Sequence, residues 1–422
     1  MFGRLIAPII FFTSLAGLVF LIGGILAFLL HDRIDLEIKN ASYIINDLQK
    51  NPLIFENNFE IPPGLKKYTD FEDEGHLLIA GYFMKEQKNG IHLVRLSDGK
   101  LLKTWYPDPQ AIRAKSDYKA FRPPQRFEPQ SPLLMEDGGI VFVDTEGPLV
   151  RIDACADIAW VAGYHFHHSI ERDLDGNFIV PGVIPWTAGD DRAPYPFRDD
   201  AIATISPDGK LLGLKSVTTM LLDSGYQALH ATVYPRLNDP VHLNDIEVAR
   251  FSTANWQRGD LVLSSRPLHT IFVYRPSTGR IIWLQTGPWL AQHDPDFMSD
   301  GRIGLFGNDT LLSAETEDKL LYGYSDIYIV DPATGEVEQP YTAVMKKHRI
   351  GTPSEGRSQI LANGDVFIEE TDYGRMVRIS EEGLVWSFHN SDGEYFGTLN
   401  WSRYLPPGSL DGIDLSRECT NR

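Results

Sequence analysis

Six times after residue 70 the chain repeats one local pattern, a polar turn containing glycine followed by a short apolar or alternating run. The copies are "DEGHLLIA", "EDGGIVFVD", "LDGNFIVPG", "RGDLVLSSR", "SDGRIGLFG" and "ANGDVFIEE". A hairpin-like element follows each, for example "TIFVYRPSTGRIIWL" and "DIYIVDPATGEVEQP". Alternation with a period of two specifies strands, and Asp-Gly or Thr-Gly between apolar runs specifies tight hairpins. One four-stranded unit cannot bury both of its faces, so units repeated in this way stack on one another. The expectation is an all-β fold, a six-bladed β-propeller over residues 67–422. In it the terminal "FGTLNWSRYLPP" completes a blade begun near the domain's start. A hydrophobic content of 43% and an aromatic content of 11% are enough for a core of that size.

The amino terminus is a different object. Between Arg4 and His31 runs "LIAPIIFFTSLAGLVFLIGGILAFLL", which carries no charge. It is long enough for a membrane-spanning helix and longer than the apolar core of a cleaved signal. Residues 1–31 are therefore expected to be a transmembrane anchor. Residues 32–66 follow as a juxtamembrane helix, with Ile34, Ile38, Tyr43, Ile45 and Leu48 at near-helical spacing, and a linker marked by "EIPPGLKKY". Arg4 before the apolar run favours an inside amino terminus with the bulk of the chain outside. The formal net charge of −18 argues against nucleic acid as a partner. Cys155 and Cys419 either form one disulfide or stand as two unpaired small residues.

Aligning the units on their turn glycines brings histidines into register. The residue eight positions ahead of the glycine is Gln130 for Gly138, His168 for Gly176 and His293 for Gly301. In the unit between the last two, an insertion lengthens the arm and His242 takes the equivalent strand start; in the last unit Gly356 and Arg357 stand there. The first strand of a blade faces the central channel, so His168, His242 and His293 are expected to converge near one mouth of it. Arg266 ends the strand that follows the His242 arm, and it is expected either to face the channel or to form a surface salt bridge. A metal set is the weaker reading of the cluster. "HFHH" contains an HxH, yet strand alternation puts His165 and His167 on the face opposite His168. Neutral imidazoles suit nucleophilic and acid–base chemistry near neutral pH, with a guanidinium to hold an anionic group.

"FHHSIERDLDGNFIV", "HLNDIEV", "GDLVLSSRPLHTIFVYRPSTGRIIW" and "QHDPDFMSDGRIGLF", between residues 164 and 306, resemble the arylsulfotransferase family. These bacterial enzymes pass a sulfuryl group from one phenol to another without a nucleotide donor. The resemblance implies a six-bladed propeller and a covalent, ping-pong reaction through a sulfohistidine. It makes His293, in the Gln292–His293 pair, the nucleophile. His242 and Arg266 correspond to positions that bind the sulfuryl oxygens, and His168 to a further pocket histidine. No cofactor is implied, and the substrates are a small aryl sulfate and a phenol. With the anchor, this gives a single-pass protein of the bacterial inner membrane with its propeller on the periplasmic side. The chain departs from the family's pattern at Asp294, where a second histidine is common, and at "LFGNDT" (305–310). Asp294 then either orients His293 or stands exposed as a solvated carboxylate.

Two other readings compete with this one. A propeller can keep its fold while serving as a binding or assembly module beside a membrane protein partner. A metal-dependent propeller hydrolase would need an ion on the axis. No phosphate-cradling glycine loop with a lysine occurs, which argues against a nucleotide sulfate donor. The polar insertion "WTAGDDRAPYPFRDD" (186–200) is either a lid over the site or a plain surface loop.

Overall fold

The computed structural model describes residues 54–422 apart from 58–61, 71, 119–125, 186–196, 235–237, 313–317, 418 and 420–422. The expected anchor and residues 32–53 of the juxtamembrane segment lie outside the described residues. No helix among the described residues is long and apolar enough to cross a membrane. The last part of the expected linker holds two short strands. Ile54–Glu56 pairs with Tyr395–Gly397, and Gly64–Lys67 with Leu384–His389. Leu65 explains the second pairing, because its side chain packs on the cluster containing Met376, Val385 and Trp386.

From Ile54 onward the chain is an all-β, propeller-like fold built of antiparallel meanders. His76–Phe83, Lys88–Arg95 and Leu101–Trp105 form the first unit, and the carboxy-terminal strand Arg403–Leu405 adds to it as inner strand. Leu243–Val248, Leu261–Ser265, Thr270–Arg275 and Arg280–Thr286 form another. His293–Phe297, Ile303–Gly307, Asp326–Val330 and Val337–Glu338 form the next. Arg357–Ile360, Val366–Glu370, Arg375–Ile379 and Leu384–His389 form the last, widened by Gly64–Lys67.

The expected count of six separate blades is corrected by the hydrogen bonding. Among the described residues, four sheets of four or five strands stand apart, and the second and third repeats share one eight-stranded sheet. The cause is local. The third repeat's inner strand is only Glu171–Arg172, so much of the edge of Phe178–Ile184 is left open. The long strand Ile158–Phe166 reaches that edge and pairs Phe166 with Gly182. A Cβ at Gly182 would lie 3.3 Å from both the Phe166 ring and Ala203, so glycine permits the close approach.

Neighbouring units are joined by hydrophobic clusters, not by one central core. Ile179 and Ile202 of the third repeat pack with Ile246, Leu263 and Phe272 of the next. Phe306, Ile327 and Ile329 pack with Val366, Ile368 and Val377 in the same way. Alternation thus gives each sheet two apolar faces, one for each neighbour. Cys155 and Cys419 are disulfide-bonded, their Cα atoms 5.4 Å apart, which resolves the open question of their pairing. The bond ties the tail beyond the closing strand to the second repeat.

Candidate functional site

The inner strands ring an axis, and the residues at their starts meet at one place. The His168 ring centroid lies 5.1 Å from that of His242 and 6.2 Å from that of His293. The Trp401 ring closes the group, 5.7 Å from His168 and 6.0 Å from His293. The backbone explains the convergence. His168 (φ 58°), His242 (φ 42°) and Trp401 (φ 59°) are left-handed, and Asp294 (φ 50°) is so immediately after His293. Such a conformation is uncommon for a residue with a side chain. Here it recurs where successive strands begin and turns their side chains out of the pleat. Among the described residues, no group of three or more His, Cys, Asp or Glu side chains is arranged to hold a metal ion.

His293 is held from three directions. The Gln292 side chain points away from the axis, and its Nε2 donates to Ser264 Oγ at 2.9 Å, Thr270 O at 3.0 Å and Ser265 O at 3.1 Å. The backbone carbonyl oxygen of Gln292 accepts from Asn244 Nδ2 at 2.7 Å. Asp294 is buried and turns toward the last repeat, where Oδ2 accepts from Ser358 N at 2.8 Å with Arg357 Nε 3.5 Å away. Neither expected role of Asp294 survives, since it is not exposed and its carboxylate is committed to Ser358 and Arg357.

The group that orients the nucleophile candidate is Asn308. Its Nδ2 donates to Thr352 O at 2.9 Å and to Glu355 O at 2.7 Å, so its Oδ1 is the atom facing His293 Nδ1, 2.6 Å away. An amide oxygen only accepts, which puts the proton on Nδ1 and the lone pair on Nε2. Burial, followed by the charge of Arg266, holds the His293 imidazole well below its usual range; the bond to Asn308 acts the other way. A buried, neutral imidazole with its lone pair on Nε2 is the form required for nucleophilic attack.

The other expected residues are close by. Asp239 Oδ2 lies 2.7 Å from His242 Nδ1, fixing that ring by a carboxylate. The Arg266 backbone N–H donates to His242 O at 3.3 Å, and its Nη2 donates to Asp318 Oδ2 at 2.7 Å. His168 is buried, and its pKa is pushed well below the usual value, first by burial and then by His167, His242 and His293. The sequence reading placed His167 on the opposite face from His168. The strand ends at Phe166 and the chain turns left-handed at His168, so the two Nδ1 atoms are 2.8 Å apart. Strand alternation does not extend past the end of the strand.

Next to the histidines the same inner strands line a second space, a cavity of ≈ 240 Å³ bordered by Asp245, Glu247, Asp294, Asp296, Arg357 and Arg403 among others. Burial is the first cause that raises the pKa of all four of these carboxyls. Arg357 spans the two regions, with its guanidinium carbon 5.9 Å from the Trp401 ring centroid.

The structure thus brings His168, His242 and His293 together, with Arg266 bonded through its backbone to His242, and adds Asn308, Trp401 and Asp239, which the sequence reading did not single out. Asn308 stands inside "LFGNDT", the phrase read as a departure, and Trp401 inside the phrase read only as ring closure. Asp239 is three residues before His242, so a short-range acid–histidine pairing was available as a signal. The expected lid lies partly outside the described residues. Its last residues, Arg198 and Asp200, are described and reach the site through His167.

With this geometry in place, comparison with known proteins gives the family. Residues 138–391 match the family model described as Arylsulfotransferase (ASST), which is more than half of the chain, and the protein belongs to that family. No curated protein sequence matches it. Among solved structures, a Bacteroides caccae protein of unknown function aligns with a TM-score of 0.50 and 12% identity, covering 79% of this chain and 99% of that one. That likeness concerns the fold alone. A virginiamycin B lyase from Staphylococcus aureus aligns with a TM-score of 0.39 and 11% identity, over 82% of this chain and 88% of its own.

Proposed function

We propose that the protein transfers a sulfuryl group from an aryl sulfate to a phenolic acceptor in two displacements at His293 Nε2. The carrying observation is the Asn308–His293 pair, which leaves a neutral, buried imidazole with its free lone pair among two further histidines. In the first displacement Nε2 attacks sulfur, the sulfur–oxygen bond to the aryl group breaks, and phenoxide leaves with the electron pair. In the second, the acceptor oxygen attacks sulfur and the pair of the sulfur–nitrogen bond returns to Nε2. Negative charge on the sulfuryl oxygens and the phenoxide is met by Arg266 and His242, in a site sheltered enough to strengthen such interactions. A covalent intermediate of this kind predicts ping-pong kinetics.

The anchor and location belong to the same proposal. Residues 1–31 hold the chain in the bacterial inner membrane with the propeller in the periplasm. The uncharged amino-terminal run supports this, as does the Cys155–Cys419 disulfide, which an oxidising compartment preserves. Protease digestion of spheroplasts that removes the propeller from outside would support it; complete protection would refute it.

The decisive experiment is peptide mass spectrometry after brief exposure to an aryl sulfate without acceptor, comparing wild type with His293→Ala. The expected result is a sulfuryl adduct on His293 that a phenol discharges. Two folded proteins with no adduct across several aryl sulfates would leave the binding-module reading in its place. An adduct persisting in His293→Ala would move the nucleophile elsewhere.

A further inference from the structure

Behind His168 lies a buried chain of polar groups that nucleophilic attack by His293 does not use. His167 and Asp200 are fully buried, and Asp200 Oδ1 lies 3.5 Å from His167 Nε2, which has no closer partner among the described residues. The Asp200 carboxylate is built in. Its Oδ2 accepts from Leu243 N at 2.6 Å and its Oδ1 from Arg198 Nε at 2.9 Å. Arg198 in turn donates to Glu146 Oε2 at 2.8 Å, and His165 Nε2 lies 2.5 Å from the same oxygen. The line of groups thus runs from the histidine cluster to partly exposed side chains at Glu146 and His165.

The proton positions follow from this arrangement. Two Nδ1 atoms 2.8 Å apart share one hydrogen, because two protons or two lone pairs there would repel. Asp200 facing Nε2 of His167 sets the hydrogen of that ring on Nε2, since a lone pair would be turned toward a carboxylate. His167 Nδ1 is then the acceptor and His168 Nδ1 the donor. The remaining nitrogen of His168, Nε2, carries a lone pair, and its ring packs against His242, His293 and Trp401. His168 is a base poised at the site, with a second imidazole and a carboxylate lined up behind it.

We propose that His167 and Asp200 form a buried proton relay behind His168, which makes His168 the general base for the acceptor phenol and the general acid for the leaving phenoxide. This rests on the sulfuryl-transfer reading given above. In the acceptor half-reaction the phenol proton moves to His168 Nε2 while the phenoxide oxygen bonds to sulfur and the sulfur–nitrogen bond breaks. His168 Nδ1 passes its hydrogen toward His167 Nδ1, and the positive charge shared by the two rings faces Asp200. The donor half-reaction starts from this protonated pair: His168 Nε2 gives the proton gained from the previous acceptor to the departing phenoxide and regains its lone pair, so no net proton is gained or lost over the cycle. His167 and Asp200 touch no substrate and act as positioning residues. The charged and titratable groups around the pair are Arg198, Asp200 and Glu146 about His167, and His167, His242, His293 and Glu146 about His168.

The test measures the rate of His293 sulfation from two esters, para-nitrophenyl sulfate, whose phenol is acidic, and phenyl sulfate, whose phenol is not. Only the second leaving group depends strongly on a proton. In His167→Asn the side-chain oxygen can still accept from His168 but cannot pass a proton on, so the para-nitrophenyl to phenyl rate ratio should widen by about 10–100-fold, a part of what general acid catalysis contributes. Asp200→Asn, which keeps an oxygen for Leu243 N, should widen it in the same direction and carries the test if His167→Asn does not fold. Equal slowing with both esters, leaving the ratio unchanged in a folded variant, overturns the relay while sulfuryl transfer stands. No His293 adduct in the wild type from either ester overturns the sulfuryl-transfer reading and the relay with it.

Discussion

Replacing Asn308 tests most directly whether His293 is prepared for attack by its surroundings. In Asn308→Leu the ring loses its 2.6 Å acceptor, and the Thr352 and Glu355 carbonyls lose donors at 2.9 and 2.7 Å. The hydrogen bond to the ring is worth about 1 kcal/mol net, or roughly fivefold in the population of the aligned tautomer. Loss of alignment adds to this, since a displacement of about 1 Å can cost about 100-fold. The combined expectation is a 10–100-fold slower sulfation of His293, read by quenched-flow mass spectrometry. Stability should fall too, by about 1–3 kcal/mol for the buried Thr352 carbonyl that loses this donor, so the rate is to be measured well below the variant's Tm. Asn308→Asp separates orientation from charge. A carboxylate keeps an acceptor at Nδ1–H but favours the imidazolium. Wild-type His293 has its pKa lowered and stays neutral as pH falls through the ordinary imidazole value of about 6.5. Sulfation by the wild type should therefore persist below that pH, while in Asn308→Asp it should fall as the ring protonates. Wild-type rates in a folded Asn308→Leu, or identical pH profiles for wild type and Asn308→Asp, would refute the reasoning.

Arg266→Ala should slow sulfation by about 100–1,000-fold, the usual loss for one donor to a developing oxyanion, with Arg266→Lys falling between; an Arg266→Ala rate within threefold of wild type would assign the guanidinium to its Asp318 pair alone. Cys155→Ser opens a disulfide spanning 264 residues and should lower stability by about 2–4 kcal/mol. The residues after Leu405 should become sensitive to limited proteolysis while the histidine cluster keeps its reactivity, and unchanged digestion would place the tail's hold elsewhere.

How much of the site was legible in the sequence can be traced residue by residue. His168 and His293 were visible because each stands eight residues ahead of its turn glycine, and His242 because it takes the equivalent strand start across a longer arm; a rotating repeat brings such positions together. Arg266 was visible because it directly ends a strand of the same unit. His167 was misplaced because the pleat was carried one residue too far, past Phe166. Asn308 was passed over although it lies fifteen residues from His293 in the same unit, since an asparagine after a strand reads equally well as a turn residue. Asp294 was given two roles and has neither. Its left-handed backbone sends the side chain to Ser358, sixty-four residues away.

The sequence by itself determined the strands, the hairpins and the repeat. Period-two alternation and glycine turns act over a few residues and need no distant partner to be read. It also determined which histidines could share an axis, since that follows from the repeat. Tertiary structure alone decided how the second and third repeats join through Phe166 and Gly182, that Cys155 meets Cys419, that Glu369 fixes the backbone at Trp401 and Ser402, and that Asp200 stands behind His167. These pairings link separate segments of the chain, most of them in different repeats. They exist only once the sheets have packed, because burial is what obliges each polar group to find its partner.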